Sequence, residues 1–322
     1  MSISSPGRIK GASVATAQHG VAASSLLQIV ILSLVWGCNW PVLKLGVSEL
    51  APLTFRASTL AFAGIGLLLV SMLSRHSIRI ARPLWGKVAA LALFNIAGWN
   101  GLILFGVQQM PAGRSAILAF TMPIWTVLIG LGLLQEPLSK RKIVGLALGM
   151  CGMLVLLGDD FHSVQRAPMG ALFILAAAIA WAIGTVLLRR WKPPIPQATL
   201  TGWMMLLGWL PIVLCVPLFD PHPLRSLAAM SGAAWFAVIY NIFFAGTLAH
   251  WAWFKMARTL PVAVSSLSSL PVPVIGVLSG MLILGERPGW SEFVALGLVL
   301  AALAAVLIAP ASRSAAAETI PE

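Results

Sequence analysis

Long apolar stretches separated by short polar turns fill the chain from about residue 24 to residue 309. A helix that crosses a bilayer needs roughly 20 apolar residues at ~1.5 Å rise each. Ten stretches meet that length, at 24–47, 52–73, 84–107, 112–134, 140–158, 168–190, 198–217, 232–255, 261–284 and 290–309. None sustains the strict apolar–polar alternation of a lipid-facing strand. The pattern therefore predicts an all-α integral membrane protein. The longest polar connectors, 159–167, 190–197 and 219–231, are loop-sized, so no separate soluble domain is expected.

The pattern also repeats. Pro111, Ser115, Pro123, Gly130 and Glu136 recur as Pro261, Ser265, Pro273, Gly280 and Glu286, each displaced by 150 residues. The second copy lies five segments after the first, an odd number, so the copies face opposite ways across the bilayer. Inverted repeats of this kind underlie alternating-access transporters. Trp36 matches Trp181, and Lys44 matches Arg189, at an offset of 145. These matches place the boundary in 158–167. They predict two five-helix halves, 24–158 and 168–309, flanked by cytoplasmic tails at 1–23 and 310–322.

Composition supports bilayer as the solvent: 59% of residues are hydrophobic, 9% are charged, and mean hydropathy is +0.94. With the N-terminus in the cytoplasm, 15 of the 21 basic residues fall inside and 6 outside, whereas the 9 acids divide 3 inside and 6 outside. The net charge of +12 is then wholly cytoplasmic. A basic balance that would suggest nucleic acid in a soluble protein is here a topology signal, and no nucleic-acid partner is expected. Cys38, Cys151 and Cys215 fall within spans and read as reduced packing residues. Residues 21–35 have the apolar character of a signal-peptide core. No small-x-small site follows before Trp36, so the segment reads as the first permanent span.

The run VWGCNWP at 35–41, PLTFR at 52–56, the Pro–x11–Pro spacing of 111–123 and 261–273, LQEP at 134–137 and LGER at 284–287 resemble the EamA group of the drug/metabolite transporter superfamily. The resemblance covers about residues 24–309. It implies ten spans with both ends cytoplasmic in a bacterial inner membrane, and export of amino acids, some of them aromatic, or of other small metabolites.

Polar side chains inside hydrocarbon are costly unless they face the bundle interior, which makes them site candidates. Trp36, Asn39 and Trp40 lie at i, i+3 and i+4 on one helix face beside Pro41, which favours a kink. The third span offers Asn95, Trp99 and Asn100; the eighth offers Tyr240, Asn241 and His250 with Trp251; the sixth offers Trp181 and Thr185. At the 150-residue offset Asn100 corresponds to His250. Ser265, like Ser266, Ser268 and Ser269, permits close helix approach and is a further contact candidate. The central tryptophans are either cavity lining or core packing, and the asparagines either touch substrate or bond across helices. Trp85, Trp191, Trp235 and Trp290 sit near span ends as interfacial anchors. Pro111 and Pro261 start helices, and Pro123 and Pro273 fall mid-span, where a freed carbonyl either bends the helix statically or lets it gate. Glu136 and Glu286 are expected to bond loop amides or bases such as Arg141 and Arg287.

No Asp or Glu lies at mid-depth in any span, so coupling to protons is not expected to be obligatory. His250 is the nearest candidate for a proton site. The function expected is facilitated or exchange transport of small metabolites, amino acids foremost, by a monomer without cofactor, metal or catalysis. A multidrug or sugar-phosphate carrier is the alternative within the class. The latter is disfavoured because Lys44, Arg56, Arg114 and Lys255 fall near span ends. A membrane enzyme acting on lipid-linked substrates would need a cluster of acids or histidines. Asp159, Asp160 and His162 form the one such group, and they read as a helix-capping turn.

Overall fold

The computed structural model describes residues 23–135, 139–162, 167–253 and 271–307. Among them all regular structure is helical. Helix α1 is Ala23–Glu49, α2 Pro52–Leu73, α3 Arg82–Gln109, α4 Ala112–Leu133, α5 Lys140–His162, α6 Ala167–Trp191, α7 Gln197–Phe219, α8 Gly232–Trp253, α9 Pro271–Leu284 and α10 Trp290–Leu307. Seven of these contain windows long and apolar enough to cross a membrane; Ile143–Leu156, Pro271–Leu284 and Trp290–Ala305 are shorter apolar helices. The outward surface is itself apolar: Leu73, Leu214, Leu218 and Leu282 are all more than three-quarters exposed. Such a surface needs lipid around it. The chain is an integral membrane protein.

Proline sets several boundaries. Pro52 occupies the first turn of α2, where its missing N–H costs nothing, and Pro111 and Pro196 are the caps before α4 and α7. The cap of α8 is Ser231, whose Oγ accepts from the amides of Ala233 and Ala234.

The halves interlock. Helix α1 packs on α9, α2 on α7, α3 on α6, and α5 on α10. Glycine permits the closest of these approaches. A side chain at Gly37 would collide with Ile275, and one at Gly64 or Gly202 would press on the other's carbonyl.

Three departures from ideal helix matter for the site. First, α1 runs through Pro41 unbroken. The proline leaves the Gly37 carbonyl without its helical donor. Ser279 Oγ on α9 lies 3.4 Å from it and 3.2 Å from the Gly276 carbonyl of its own helix, so one hydroxyl hydrogen is shared between the two. Second, α4 breaks rather than bends. Ala112–Ala119 ends in a turn at Phe120 and Thr121, and Met122–Leu133 then begins with Pro123 in its first turn. Thr121 Oγ1 donates to the Leu118 carbonyl at 2.6 Å and accepts from Trp125 Nε1, so side chains satisfy part of what the break frees. Third, Ala92–Gly98 in α3 and Tyr240–Leu248 in α8 are wound with i→i+5 bonding. The two segments correspond at the 150-residue offset. Such wide turns concentrate at functional sites.

Pro123 therefore lies just past a break; Pro273 is the third residue of the described part of α9, and the first ten residues of the predicted span 261–284 lie outside the described residues. Pro261, Ser265 and Glu136 lie outside the described residues. The connector at 219–231 contains a short helix, Pro223–Ala228, that the sequence pattern did not suggest.

Candidate functional site: a cavity between the repeated halves

A cavity of about 160 Å³ lies where α1, α2, α3 and the α4 break meet α6, α7, α8 and the start of α9. Three helices of the first half present one stripe each at i, i+3, i+4 and i+7. These are Trp36, Asn39, Trp40 and Leu43 on α1; Arg56, Thr59, Leu60 and Ala63 on α2; and Ile96, Trp99, Asn100 and Ile103 on α3. Phe120 and Met122 flank the α4 break. The second half supplies Trp181, Met205, Asn241, Ala245, Gly246, His250 and Val272.

The aromatic walls pair across the halves. Trp36 meets His250 edge-on at 5.4 Å between ring centroids, and Trp99 meets Trp181 at 5.2 Å. Trp36 Nε1 donates to the Ala245 carbonyl at 3.3 Å, and His250 Nδ1 lies 2.9 Å from the same oxygen. That carbonyl sits in the widened turn of α8, where two ring groups gather on it. Trp40 is buried, and Gly276 leaves the room its ring occupies.

Of the sequence candidates, Trp36, Asn39, Trp40, Trp99, Asn100, Trp181, Asn241 and His250 share this cavity. Asn95 and Tyr240 do not. Each lies one residue off its helix's lining stripe. The Asn95 amide oxygen fills the space where a side chain at Gly184 would begin, and it has no hydrogen-bond partner. Tyr240 turns to α1, donating from its hydroxyl to the Val35 carbonyl at 2.7 Å.

The charged lining residue among those the sequence passed over is Arg56. Counted along α2 it lies one turn from the helix start, which suggested the membrane edge. The fold directs it inward, where it is 7% exposed. The polar, small-residue stripe Arg56–Thr59–Ala63 was the signal available.

At the end of the cavity where α1 stops and α2 begins, polar groups tie helices together. Lys44 Nζ donates to the carbonyls of Val107, Gln108 and Met110 at 2.8–2.9 Å, closing the C-terminus of α3 with a cation. Glu286 accepts from the amides of Ala112 and Gly113, the latter at 3.0 Å, so a second-half carboxylate caps the first-half helix α4. Helix-start amides, rather than Arg287, are its partners. Glu49 accepts from both the amide and the hydroxyl of Ser231. Asp220 accepts from Thr54 Oγ1 at 2.8 Å, the His222 amide at 3.0 Å and Ser226 Oγ at 3.3 Å. Burial pushes the Asp220 carboxyl up, but these bonds and the nearby His222 outweigh it and hold the group below the usual carboxylate range. Among the described residues no three acids, histidines or cysteines gather as metal ligands would.

Helical halves that interlock in lipid and enclose a cavity of mixed aromatic and polar lining define a membrane transporter. The chain belongs to the EamA-like transporter family, whose sequence profile matches residues 23–158 and again 168–308. It is similar to the uncharacterized transporter YoaV of Bacillus subtilis (25% identical, covering 81% of this chain and 89% of that protein). It is also similar to the uncharacterized inner membrane transporter YedA of Escherichia coli K12 (27%, covering 86% and 88%). A third relative is a probable amino-acid metabolite efflux pump of Salmonella typhimurium (27%, covering 85% and 91%). A crystal structure sharing 22% identity superposes with a TM-score of 0.62 over 88% of this chain and 96% of that one, and so shares the fold.

Proposed function

We propose that the protein is a bacterial inner-membrane exporter of small metabolites, foremost amino acids including aromatic ones, working by alternating access. Ten spans with both termini cytoplasmic, arranged as inverted halves, would rock about the cavity between them. The observation that carries this proposal is the shared cavity, with indoles for an apolar side chain and amides for a polar end. An apolar cavity of roughly 150 Å³ takes benzene, so a space of about 160 Å³ suits a small metabolite better than a bulky drug or a nucleotide sugar. The relative named as an amino-acid metabolite efflux pump points the same way. One chain supplies both walls, which fits a monomer.

None of the described lining residues is a carboxylate, which favours facilitated diffusion or exchange over obligatory proton coupling. The test is uptake of radiolabelled Trp, Phe, Thr and a sugar phosphate into proteoliposomes, with and without an imposed pH gradient. Saturable amino-acid flux without the gradient is expected. Flux that vanishes when the gradient is removed would refute the uncoupled mode, and sugar-phosphate flux in place of amino-acid flux would refute the substrate class.

A further inference from the structure

Arg56 is a buried cation for which no carboxylate is provided. Its Nη1 lies 3.4 Å from Asn241 Oδ1, a long bond to a neutral amide, and its Nε has no partner. Its Cζ stands 5.8 Å from the ring of its own neighbour Phe55, a weak contact. Among the described residues it forms no ion pair. A guanidinium carries five N–H donors and keeps its charge in proteins. Holding that charge out of water costs several kcal/mol unless an anion and its hydrogen bonds offset the loss. The remaining polar lining adds to the imbalance. Asn39 Oδ1 is also buried without a donor.

A cavity with one unmatched cation, one unmatched acceptor and indole walls is complementary to a ligand with an anion, a donor and an apolar body. We propose that Arg56 is the anchor for a substrate carboxylate, and that the Asn39 amide turns its Oδ1 to the cavity to receive the ammonium of an amino acid. This inference rests on the cavity being the transport site. Charge decides between anions. A carboxylate is planar and monovalent, matching the guanidinium fork and cancelling its charge, whereas a phosphate dianion would leave excess negative charge among Trp36, Trp99 and Trp181. Cations lacking an acid group meet Arg56 with repulsion and are excluded.

The experiment uses the purified full-length protein and four probes, three of them sharing one ring: L-phenylalanine, hydrocinnamate (no ammonium), phenethylamine (no carboxylate) and inorganic phosphate. Binding is read as ligand-induced thermal stabilisation in nanodiscs, and transport of labelled phenylalanine is measured in parallel. Phenylalanine and hydrocinnamate are expected to bind at least about tenfold more tightly than phenethylamine or phosphate, the size of one charge-assisted contact. Arg56→Gln is expected to erase that preference and Arg56→Lys to keep part of it. Should the Gln variant fail to accumulate, the probe ranking on wild type and on the Lys variant decides. Equal binding of phenethylamine, tighter binding of phosphate, no carboxylate binding to wild type, or an unchanged ranking in the variants overturns the anchor. Hydrocinnamate binding that depends on Arg56, without any phenylalanine flux, would uphold the anchor and refute amino-acid export. Phenylalanine flux indifferent to Arg56 would do the reverse.

Discussion

Arg56 and Arg114 are both buried, at 7% and 9% exposure, and both lie within two turns of a helix start. Their surroundings differ. Arg114 donates from Nη2 to the Leu156 carbonyl at 2.6 Å and sits 3.4 Å from a Glu292 carboxylate oxygen, joining α4, α5 and α10. Arg56 has one long bond to an amide and, among the described residues, no carboxylate beside it. Each arginine borders a cavity, of about 160 Å³ for Arg56 and about 120 Å³ for Arg114, so the cavity alone does not separate them. The same side chain thus serves as a rivet where its charge is met from within the protein and as a receptor where it is left unmet. Burial alone does not distinguish these roles; the list of partners does.

The largest effect expected from breaking this contrast is at the rivet. Arg114→Gln leaves Glu292 without its cation, and loss of about 3 kcal/mol of stability is expected, as for other broken buried pairs. Thermal unfolding of the detergent-solubilised protein should show the loss, while the ranking of carboxylate over amine probes stays as in wild type. A shift in that ranking would mean that the two arginines are not separate in role.

Asn39 and Asn95 sharpen the comparison at smaller magnitude, since each holds a buried oxygen without a donor but only Asn39 faces the cavity. Asn39→Ala should raise the KM for amino-acid flux about tenfold, the worth of one hydrogen bond of about 1.4 kcal/mol. Asn95→Ala should leave KM within about twofold, and it should not destabilise by more than the lost packing against Gly184, because an unsatisfied oxygen goes with it. Equal KM effects would contradict the assignment.

Glu286→Gln tests the helix cap. One carbonyl oxygen replaces two charged acceptors at Ala112 and Gly113, and a loss of about 1 kcal/mol is expected in thermal unfolding. An unchanged midpoint would show that the cap is redundant with the apolar packing of α4 on α9.

The smallest effect is at Asp220. Its folded-state pKa lies below the unfolded value, so its bonds add stability above the unfolded pKa, and that stability is lost as pH falls through the folded one. Wild type should lose stability below about pH 4, and Asp220→Asn should show a shallower slope over the same range. Parallel pH profiles would remove Asp220 as a contributor.

How much of this was legible in sequence follows from what sets each feature. Helix α2 was bounded at 52–73, as found, because Pro52 and the polar run after Leu73 punctuate it locally. The lining stripe of α1 was readable because Trp36, Asn39 and Trp40 stand out from an apolar background. Depth along a helix can be counted in residues, but the direction a residue faces depends on which neighbours the helix packs against. That is why Arg56 was placed at the membrane edge and Asn95 in the site, although the stripe 96, 99, 100 and 103 runs beside it. The widened turns at Ala92–Gly98 and Tyr240–Leu248 carry no residue that demands them, since hydrogen-bond register is a property of the packed bundle. At Pro123 the sequence pattern offers a static bend or a gate. The chain instead turns at Phe120 and Thr121, where the Thr121 hydroxyl stands in for backbone donors.

The bond from Ser279 to the Gly37 carbonyl has a mechanical consequence. The acceptor exists because Pro41 removed its helical partner, and the donor sits on a helix from the other half of the chain. Motion that parts α1 from α9 leaves the Ser279 hydrogen to the Gly276 carbonyl alone and the Gly37 oxygen with none, in a medium that has none to offer, at a cost below about 1 kcal/mol. The proline therefore acts as a weak spring as well as an interruption: it stores energy when the helices separate and returns it when they close.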